Sequence, residues 1–355
     1  MDRMRDQCYE QVVSDILSQK MKVGDFLPGE RILSERYQVP LRAVRSTFTK
    51  LMELRILTNV QRKGMRLINM PAASPCMTGK CFAFLTELDE KNPRSRLNPS
   101  VSICSWIERR INEQGGTLEF INLFRKRKQL PAILENGAYS GAFYIGVPSE
   151  EIPVIANSRI PAVVIDSESS CLDSVSFDNA QIGSCMALHM LECGHRRTVV
   201  FNFPQFPWAM ERTRMIREEY RKRNMPEPEV VDFQFADQCP ISGFRERLEL
   251  LNPGITGIFC VNDWLAGQFL AEAEDIGIPI PERYSVIGAD DNYECRSCNL
   301  TTVQLLYTEL GFAAYERMKE KIRNAPSSEI KQIRVACPLI KRQTTKAIKQ
   351  KESAP

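Results

Sequence analysis

The chain has 355 residues, with 47 Lys plus Arg against 44 Asp plus Glu, 43% apolar and 26% charged residues. That length predicts two or three domains with ample core, and no apolar run approaches the roughly 18 residues of a membrane span, which excludes a membrane protein. The opening MDRMRDQCYEQVV is charged where an export signal needs an apolar stretch, so a cytoplasmic protein is expected.

The 12 cysteines are scattered, several of them in apolar strand-like runs (Cys81, Cys260, Cys337), and read as reduced core thiols. Cys295 and Cys298 form a C-x-x-C pair with no second pair or histidine at ligand spacing, so they read as loop thiols and neither a metal nor another cofactor is expected. His189 and His195 share the stretch ALHMLECGHRR, where helix packing and capping account for them.

Charge divides the chain more sharply than its total suggests. Residues 1–69 hold 13 Lys plus Arg and 8 Asp plus Glu, net +5, whereas the remaining 34 against 36 leave net −2. A basic module meets a polyanion, and the acidic remainder does something else. The joint, residues 70–80 (MPAASPCMTGK), has two prolines and no period, as a linker does. Residues 81–345 form the larger module, and residues 346–355 are expected to fray as a basic tail.

Taking the basic module in order, Tyr9, Val12, Val13, Ile16 and Leu17 recur at the one-sided spacing of a helix. Gly24 breaks it. A short second helix over Glu30 to Tyr37 places Ile32, Leu33 and Tyr37 together. Val39-Pro40 then forces an extended residue before a third helix, with Leu41, Val44, Phe48 and Leu51 on one face and Arg42, Arg45 and Thr49 on the other. Ile56 to Val60 and Met65 to Asn69 flank Gln61-Arg62-Lys63-Gly64 as a hairpin with a basic tip. Three helices and such a hairpin make a winged helix-turn-helix, whose third helix fits the roughly 12 Å major groove while the wing reaches phosphates or the minor groove.

These residues resemble the GntR-type winged-helix regulators. The resemblance rests on Gly24-Asp25-Phe26-Leu27-Pro28-Gly29-Glu30-Arg31, Val39, Val44-Arg45 and Lys63-Gly64. It implies that Arg31, Arg45 and Gly64 approach DNA; Pro40-Leu41 stands where that family has Ser-Arg, with Arg42 one place on. The expected DNA-facing set is Arg31, Arg42, Arg45, Thr49, Arg62, Lys63 and Gly64. The bland alternative is a solvated basic face.

Beyond Lys80, short apolar runs alternate with amphipathic stretches: CFAFLTE, a helix ending at Gly115-Gly116, LEFINL, GAFYIGV, AVVID, SVSF, a helix to Cys193, TVVFNF, a charged helix from Met210 to Arg223, TGIFCV, a helix ended by Gly277, and SVIGA. This rhythm predicts parallel sheets covered by helices, in two lobes, with a barrel as the weaker option. Ligands bind beyond the carboxyl ends of such strands. There stand Asp166, Asp178, Asn262-Asp263 and Asp290-Asp291, with Phe206, Trp208 and Arg212 after TVVFNF. Carboxylates, an amide and a guanidinium around aromatic plates suit a polyhydroxylated ligand. Each acid could instead cap a helix, and Asp263 is read that way.

Residues 81–345 resemble the LacI/GalR-type sensor domain, itself similar to periplasmic sugar-binding proteins. The matches include Val175-Ser176-Phe177-Asp178-Asn179, Gly194-His195-Arg196-Arg197, Glu211-Arg212, Phe259-Cys260-Val261-Asn262-Asp263, Val286-Ile287-Gly288-Ala289-Asp290-Asp291, Leu300-Thr301-Thr302-Val303 and Arg342-Gln343-Thr344-Thr345. The family's effector contacts then fall on Asp178, Arg212, Asn262 and Asp290, with Phe206 and Trp208 lining the pocket. Met215-Ile216 replaces the usual Gly-Phe, and Ala289 an aromatic. The expected fold class is α/β: an N-terminal winged helix-turn-helix plus a two-lobed parallel α/β periplasmic-binding-protein-like domain. The expected function is a homodimeric, DNA-binding transcription regulator, a repressor, that binds a double-stranded operator and is controlled by a small carbohydrate. A sugar receptor without DNA binding and a carbohydrate-active enzyme are the alternatives, the latter opposed by the lack of a phosphate loop, a nucleophile elbow or metal-spaced histidines.

Overall fold

A computed structural model describes residues 8, 9, 11–13, 15, 16, 21–53, 56–61, 63–68, 80–88, 99–124, 126–136, 139–146, 151–158, 160–234, 242–250, 254–292, 296–323 and 329–348. In the N-terminal module the helix Glu30–Tyr37 ends at Gln38, whose φ of 52° is left-handed, and the helix Leu41–Glu53 follows Val39-Pro40. Strands β1 (Leu57–Val60) and β2 (Gly64–Leu67) pair antiparallel with Leu57 opposite Leu67. Their turn requires Gly64, at φ 99°. A bridge from Phe26 to Arg66 ties the segment before the first of these helices to the hairpin.

Cys8, Tyr9, Val12, Val13 and Ile16, all helical, bury against Leu33, Val44, Phe48, Leu51, Leu57 and Leu67. Leu41 departs from the expected apolar face at 37% exposed, because it lies in the helix's first turn; Thr47 is buried instead. Ile32 is likewise exposed, and Leu33 alone of its helix is buried.

The larger module contains two six-stranded sheets. The first has the order β13-β7-β6-β5-β3-β4, from β3 (Cys81–Thr86), β4 (Thr117–Asn122), β5 (Tyr139–Ile145), β6 (Ala162–Ile165), β7 (Asp173–Phe177) and β13 (Gln332–Val335). The second runs β14-β12-β11-β10-β8-β9, from β8 (Thr198–Asn202), β9 (Glu229–Asp232), β10 (Gly257–Cys260), β11 (Ser285–Asp290), β12 (Thr301–Gln304) and β14 (Leu339–Ile340). All pairs are parallel except β12 with β14. Central strands such as β6, β8 and β10 are buried along their whole length, which is why they read as continuous apolar runs.

The rhythm legible in the sequence stops at SVIGA. The structure adds the 17-residue helix Tyr307–Arg323 and the strands β12, β13 and β14, which are short or alternate in burial, as Gln332–Val335 does. These elements make the two lobes. The chain crosses between them through the helix Asn179–Glu192 after β7, through the helix Tyr307–Arg323 after β12, and directly from β13 to β14.

Asp173, fully buried at the start of β7, binds the first lobe together. Its carboxylate accepts from Arg317 Nε at 2.8 Å and from the Lys331 amide at 2.8 Å, and contacts the Lys321 ammonium. Burial opposes its charge, yet the donors from Lys321, Lys331 and Arg317 hold the carboxyl below the usual range. At the other end of the chain, the tail expected to fray from Lys346 is bonded through Ile348. The Lys346 amide donates to Ser285 Oγ at 3.0 Å and the Ile348 amide to the Cys193 carbonyl at 2.8 Å; residues 349–355 lie outside the described set. Among the described residues, no helix is long and apolar enough to cross a membrane.

Candidate functional site

Asp166 follows β6 and Asp290 ends β11, both at positive φ (57° and 145°), backbone that an L side chain rarely adopts. Such strain persists where surrounding structure holds a residue for a purpose. Between them comes Arg212, on the helix Pro207–Lys222, only 3% exposed. Its Nε donates to Asn179 Oδ1 at 2.9 Å and its Nη1 to the Val261 carbonyl at 2.7 Å, with Asp290 Oδ1 3.8 Å away. The guanidinium lies over the Trp208 ring, 4.8 Å from its centroid, and Trp208 stacks on Phe206 at 5.4 Å and 17°. Both rings are half-buried.

A close helix contact aims Arg212. A Cβ added to Gly183 would overlap the Arg212 carbonyl oxygen and stand 3.0 Å from Arg212 Cα and from Met215 Cβ. Glycine therefore lets the helix Asn179–Glu192 approach the helix that carries Arg212.

Burial raises the Asp166 carboxyl to about 6, against the opposing pull of Arg212, although Asp166 is exposed: protein surrounds it while one side stays open, as on a cleft wall. Burial and then the Asp263 charge raise Asp290 well above the carboxylate range, and Arg212 again opposes. Tyr307, at the start of its helix and in ring contact with Phe177 at 5.2 Å, is raised by burial and by Asp290 and Asp166. Asp166, Arg212, Asp290 and Tyr307 thus act on one another electrostatically, across both lobes. Carboxyls that retain protons near neutrality offer donors and acceptors to hydroxyl groups.

Other expected site residues are held differently. Asp178 caps its helix by accepting from the Gln181 amide at 2.9 Å, and Asn262 Oδ1 caps the helix Asp263–Asp275 by accepting from the Leu265 amide at 3.0 Å. The reading of Asp263 as that cap is therefore corrected. Asp263 is fully buried and accepts from Thr302 Oγ1 at 2.6 Å and from the Asn292 amide at 3.2 Å, one residue inside the cap Asn262. Asp291 is likewise an anchor, bonded by Arg296, Gln304 and Arg342.

Sequence reasoning left Tyr307, Asn179 and Gly183 out of the site. Tyr307 follows a strand the rhythm did not reveal; a glycine inside an otherwise good helix was the available signal for Gly183.

On the N-terminal module, Arg31, Arg42, Arg45, Thr49, Lys63 and Gly64 are all exposed. Arg45 Nε donates to Glu30 Oε2 at 2.8 Å, linking the two helices, and Thr49 Oγ1 donates to the Arg45 carbonyl at 3.0 Å. Arg62 lies outside the described residues, as does Cys295. His189 bonds Thr345 Oγ1 at 2.9 Å and His195 bonds Thr256 Oγ1 at 3.0 Å, both as packing groups. Among the described residues, no group of three His, Cys, Asp or Glu side chains is placed to hold a metal.

Residues 187–345 match the profile of the periplasmic binding protein-like domain. The arabinose metabolism transcriptional repressor of Geobacillus stearothermophilus is 24% identical over 96% of this chain and 97% of its own length. The HTH-type transcriptional repressor PurR of Escherichia coli is 30% identical over 62% of this chain and 69% of its own. Among solved structures, the CelR–cellobiose complex aligns at TM-score 0.65 and 16% identity, covering 90% of this chain and all of the other. A LacI family regulator from Enterococcus faecium with bound ribose aligns at 0.60 and 23%, over 76% and 100%. The chain belongs to the LacI-type family of transcriptional regulators with a periplasmic-binding-protein-like sensor domain.

Proposed function

We propose that this chain is a transcriptional repressor that grips an operator through its N-terminal module and releases or tightens that grip when a small carbohydrate fills the cleft between the lobes. The observation that carries the reading is the convergence of Asp166, Arg212, Asp290, Tyr307 and the Phe206–Trp208 pair at the carboxyl ends of two parallel sheets. Arg212 is already engaged by Asn179 and Val261, so the cleft offers the Asp166 carboxylate, the Asp290 carboxyl raised to about 8, and rings to neutral hydroxyls.

In this reading Asp178 and Asn262 border the pocket from their capping positions. Residues 1–69 are a GntR-type winged helix-turn-helix, 70–80 a linker and 81–345 the sensor. Two helices ahead of a paired hairpin with Gly64 at its turn support the winged form. The alignment with the arabinose repressor takes in the N-terminal module, since it reaches 96% of the chain, whereas that with PurR reaches 62%. Arg31, Arg42, Arg45 and Thr49 then face the major groove and Arg62, Lys63 and Gly64 form the wing tip. A homodimer would place two such modules on a pseudo-palindromic site. DNA as the partner makes the cytoplasm the working compartment.

The test is a thermal-shift series with L-arabinose, D-ribose and cellobiose, because a ligand that binds only the native state raises the melting temperature with concentration. One sugar should do so, Arg212→Lys and Asp290→Asn should abolish the response, and duplex binding should weaken steeply with salt. A chain that answers to no sugar and protects no duplex refutes the proposal.

A further inference from the structure

A cavity of about 540 Å³ opens at the carboxyl ends of β3 and β4, walled by Glu87, Phe124, Lys126, Arg127, Lys128 and Gln129. Its walls are braced. Asn122 Oδ1 accepts from the Leu88 and Phe124 amides, each at 3.0 Å, and Asn122 Nδ2 donates to the Leu88 carbonyl at 2.8 Å. Arg127 forks onto both carboxylate oxygens of Glu87 and stands 3.8 Å from Glu151. The loop after β4 is thereby fastened to the segments that follow β3 and β5.

Its charge is distinctive. The chain reads Arg-Lys-Arg-Lys over 125–128. Arg127 is engaged by two carboxylates, whereas the exposed ammoniums of Lys126 and Lys128 form no ion pair among the described residues. The cavity and Asp166 lie on the same edge of one sheet, in the order β4-β3-β5-β6. Two strand spacings of about 4.8 Å put roughly 10 Å between the ends of β3 and β6. The cleft centre is lined by acids around a committed arginine, while this flank presents two cations without an ion pair among the described residues, beside an aromatic wall.

We propose that this cavity is a second small-molecule subsite that takes an anionic group, the phosphate or carboxylate of a small metabolite. Lysine ammoniums bind such groups by charge-assisted hydrogen bonds, and the fixed loop lowers the ordering cost. The proposal extends the reading of the chain as a ligand-controlled regulator and does not depend on which sugar the cleft takes. The anion either rides on the cleft ligand or arrives as a separate molecule.

Isothermal titration of the full chain with inorganic phosphate, at ionic strength held constant with chloride, tests it. Saturable binding is expected, weakened about tenfold or more in the Lys126→Gln/Lys128→Gln double variant, whose changes are exposed and leave the fold intact. D-ribose 5-phosphate beside D-ribose separates the two sources. If the anion rides on the sugar, the lysine double variant and Asp290→Asn both weaken ribose 5-phosphate; if it is separate, Asp290→Asn leaves phosphate binding at the native level. Either result supports the subsite. Phosphate bound without any response to L-arabinose, D-ribose or cellobiose also supports it, and counts against the cleft reading alone. Phosphate that binds no better than chloride, or equally well to the lysine double variant, overturns it.

Discussion

Replacing Gly183 with alanine adds one methyl group at the point where two helices meet. The new Cβ would overlap the Arg212 carbonyl oxygen and press within 3.0 Å of Arg212 Cα and Met215 Cβ. Relaxed carbon contacts lie at about 3.5–4.0 Å, so the helix Pro207–Lys222 must retreat by roughly 0.5–1 Å. Overpacking of this kind costs about 1–3 kcal/mol. Alanine recovers about 1 kcal/mol of helix propensity over glycine, which leaves a net loss between nothing and about 2 kcal/mol. The larger effect falls on the cleft: Arg212 reaches Asn179 and Val261 at 2.9 and 2.7 Å, and a retreat of that size stretches both bonds toward rupture while Trp208 moves with the same helix. A misplacement of about 1 Å costs up to roughly a hundredfold in a preorganised site. Urea denaturation and titration with the sugar that stabilises the native chain read the two quantities. A Gly183→Ala variant that is more stable by about 1 kcal/mol, as propensity alone demands, and binds sugar at native affinity would refute the close-packing account.

Arg45→Ala should cost about 1–3 kcal/mol of operator affinity if the side chain reads a base, measured by gel shift at fixed salt, with sugar binding unchanged. Asp166, at about 6, and Asp290, at about 8, both sit above the ordinary value of 3.8, so the stability they contribute is full below that value and is lost as pH rises from there through about 6 and about 8 respectively. Asp290→Asn should flatten the fall in melting temperature between about pH 4 and pH 8; parallel curves for native and variant count against the assignment. Gln181→Met removes the amide that accepts from Cys337 N and donates to Cys337 O, both at 3.1 Å, and should cost about 2–4 kcal/mol by stranding two backbone groups. Native stability by denaturant titration in that variant would show the pairing to be incidental.

Central strands announced themselves because burial on both faces demands uninterrupted apolar residues, as in Ala162–Ile165 and Gly257–Cys260. The edge strands β9 and β13 carry charged or polar residues on a half-solvated face, and β14 is only two residues long, so none of them left such a trace. Arg212 and Asp290 were legible from motif and from position at strand ends. What could not be read was which residue at each junction caps a helix and which is buried: at Asn262-Asp263 the cap falls to Asn262 and Asp263 is buried, because the choice depends on Thr302, nearly forty positions away. Tyr307 and Gly183 owe their places to contacts between elements distant in sequence, and local pattern carries no record of those.

Those distant contacts also explain how an event in the cleft can travel. The three crossings are bonded to one another: the Asp178 amide donates to the Val335 carbonyl at 2.9 Å, the Gln304 amide to the Pro338 carbonyl at 2.9 Å, and Gln181 joins the first crossing to the third through Cys337. Asp290 belongs to both systems, since its carboxyl faces Arg212 while its backbone carbonyl accepts from the Leu305 amide at 3.2 Å, in the second crossing. A ligand bridging Asp166 on one lobe and Asp290 on the other favours whichever lobe arrangement brings them to contact distance, and it can move the equilibrium by no more than its difference in affinity for the two arrangements. Because Asp290 is tied to the crossing itself, a pull on its side chain bears directly on the hinge. The N-terminal module precedes β3 in the chain, so a change in how the first lobe sits against the second is the displacement that module would sense.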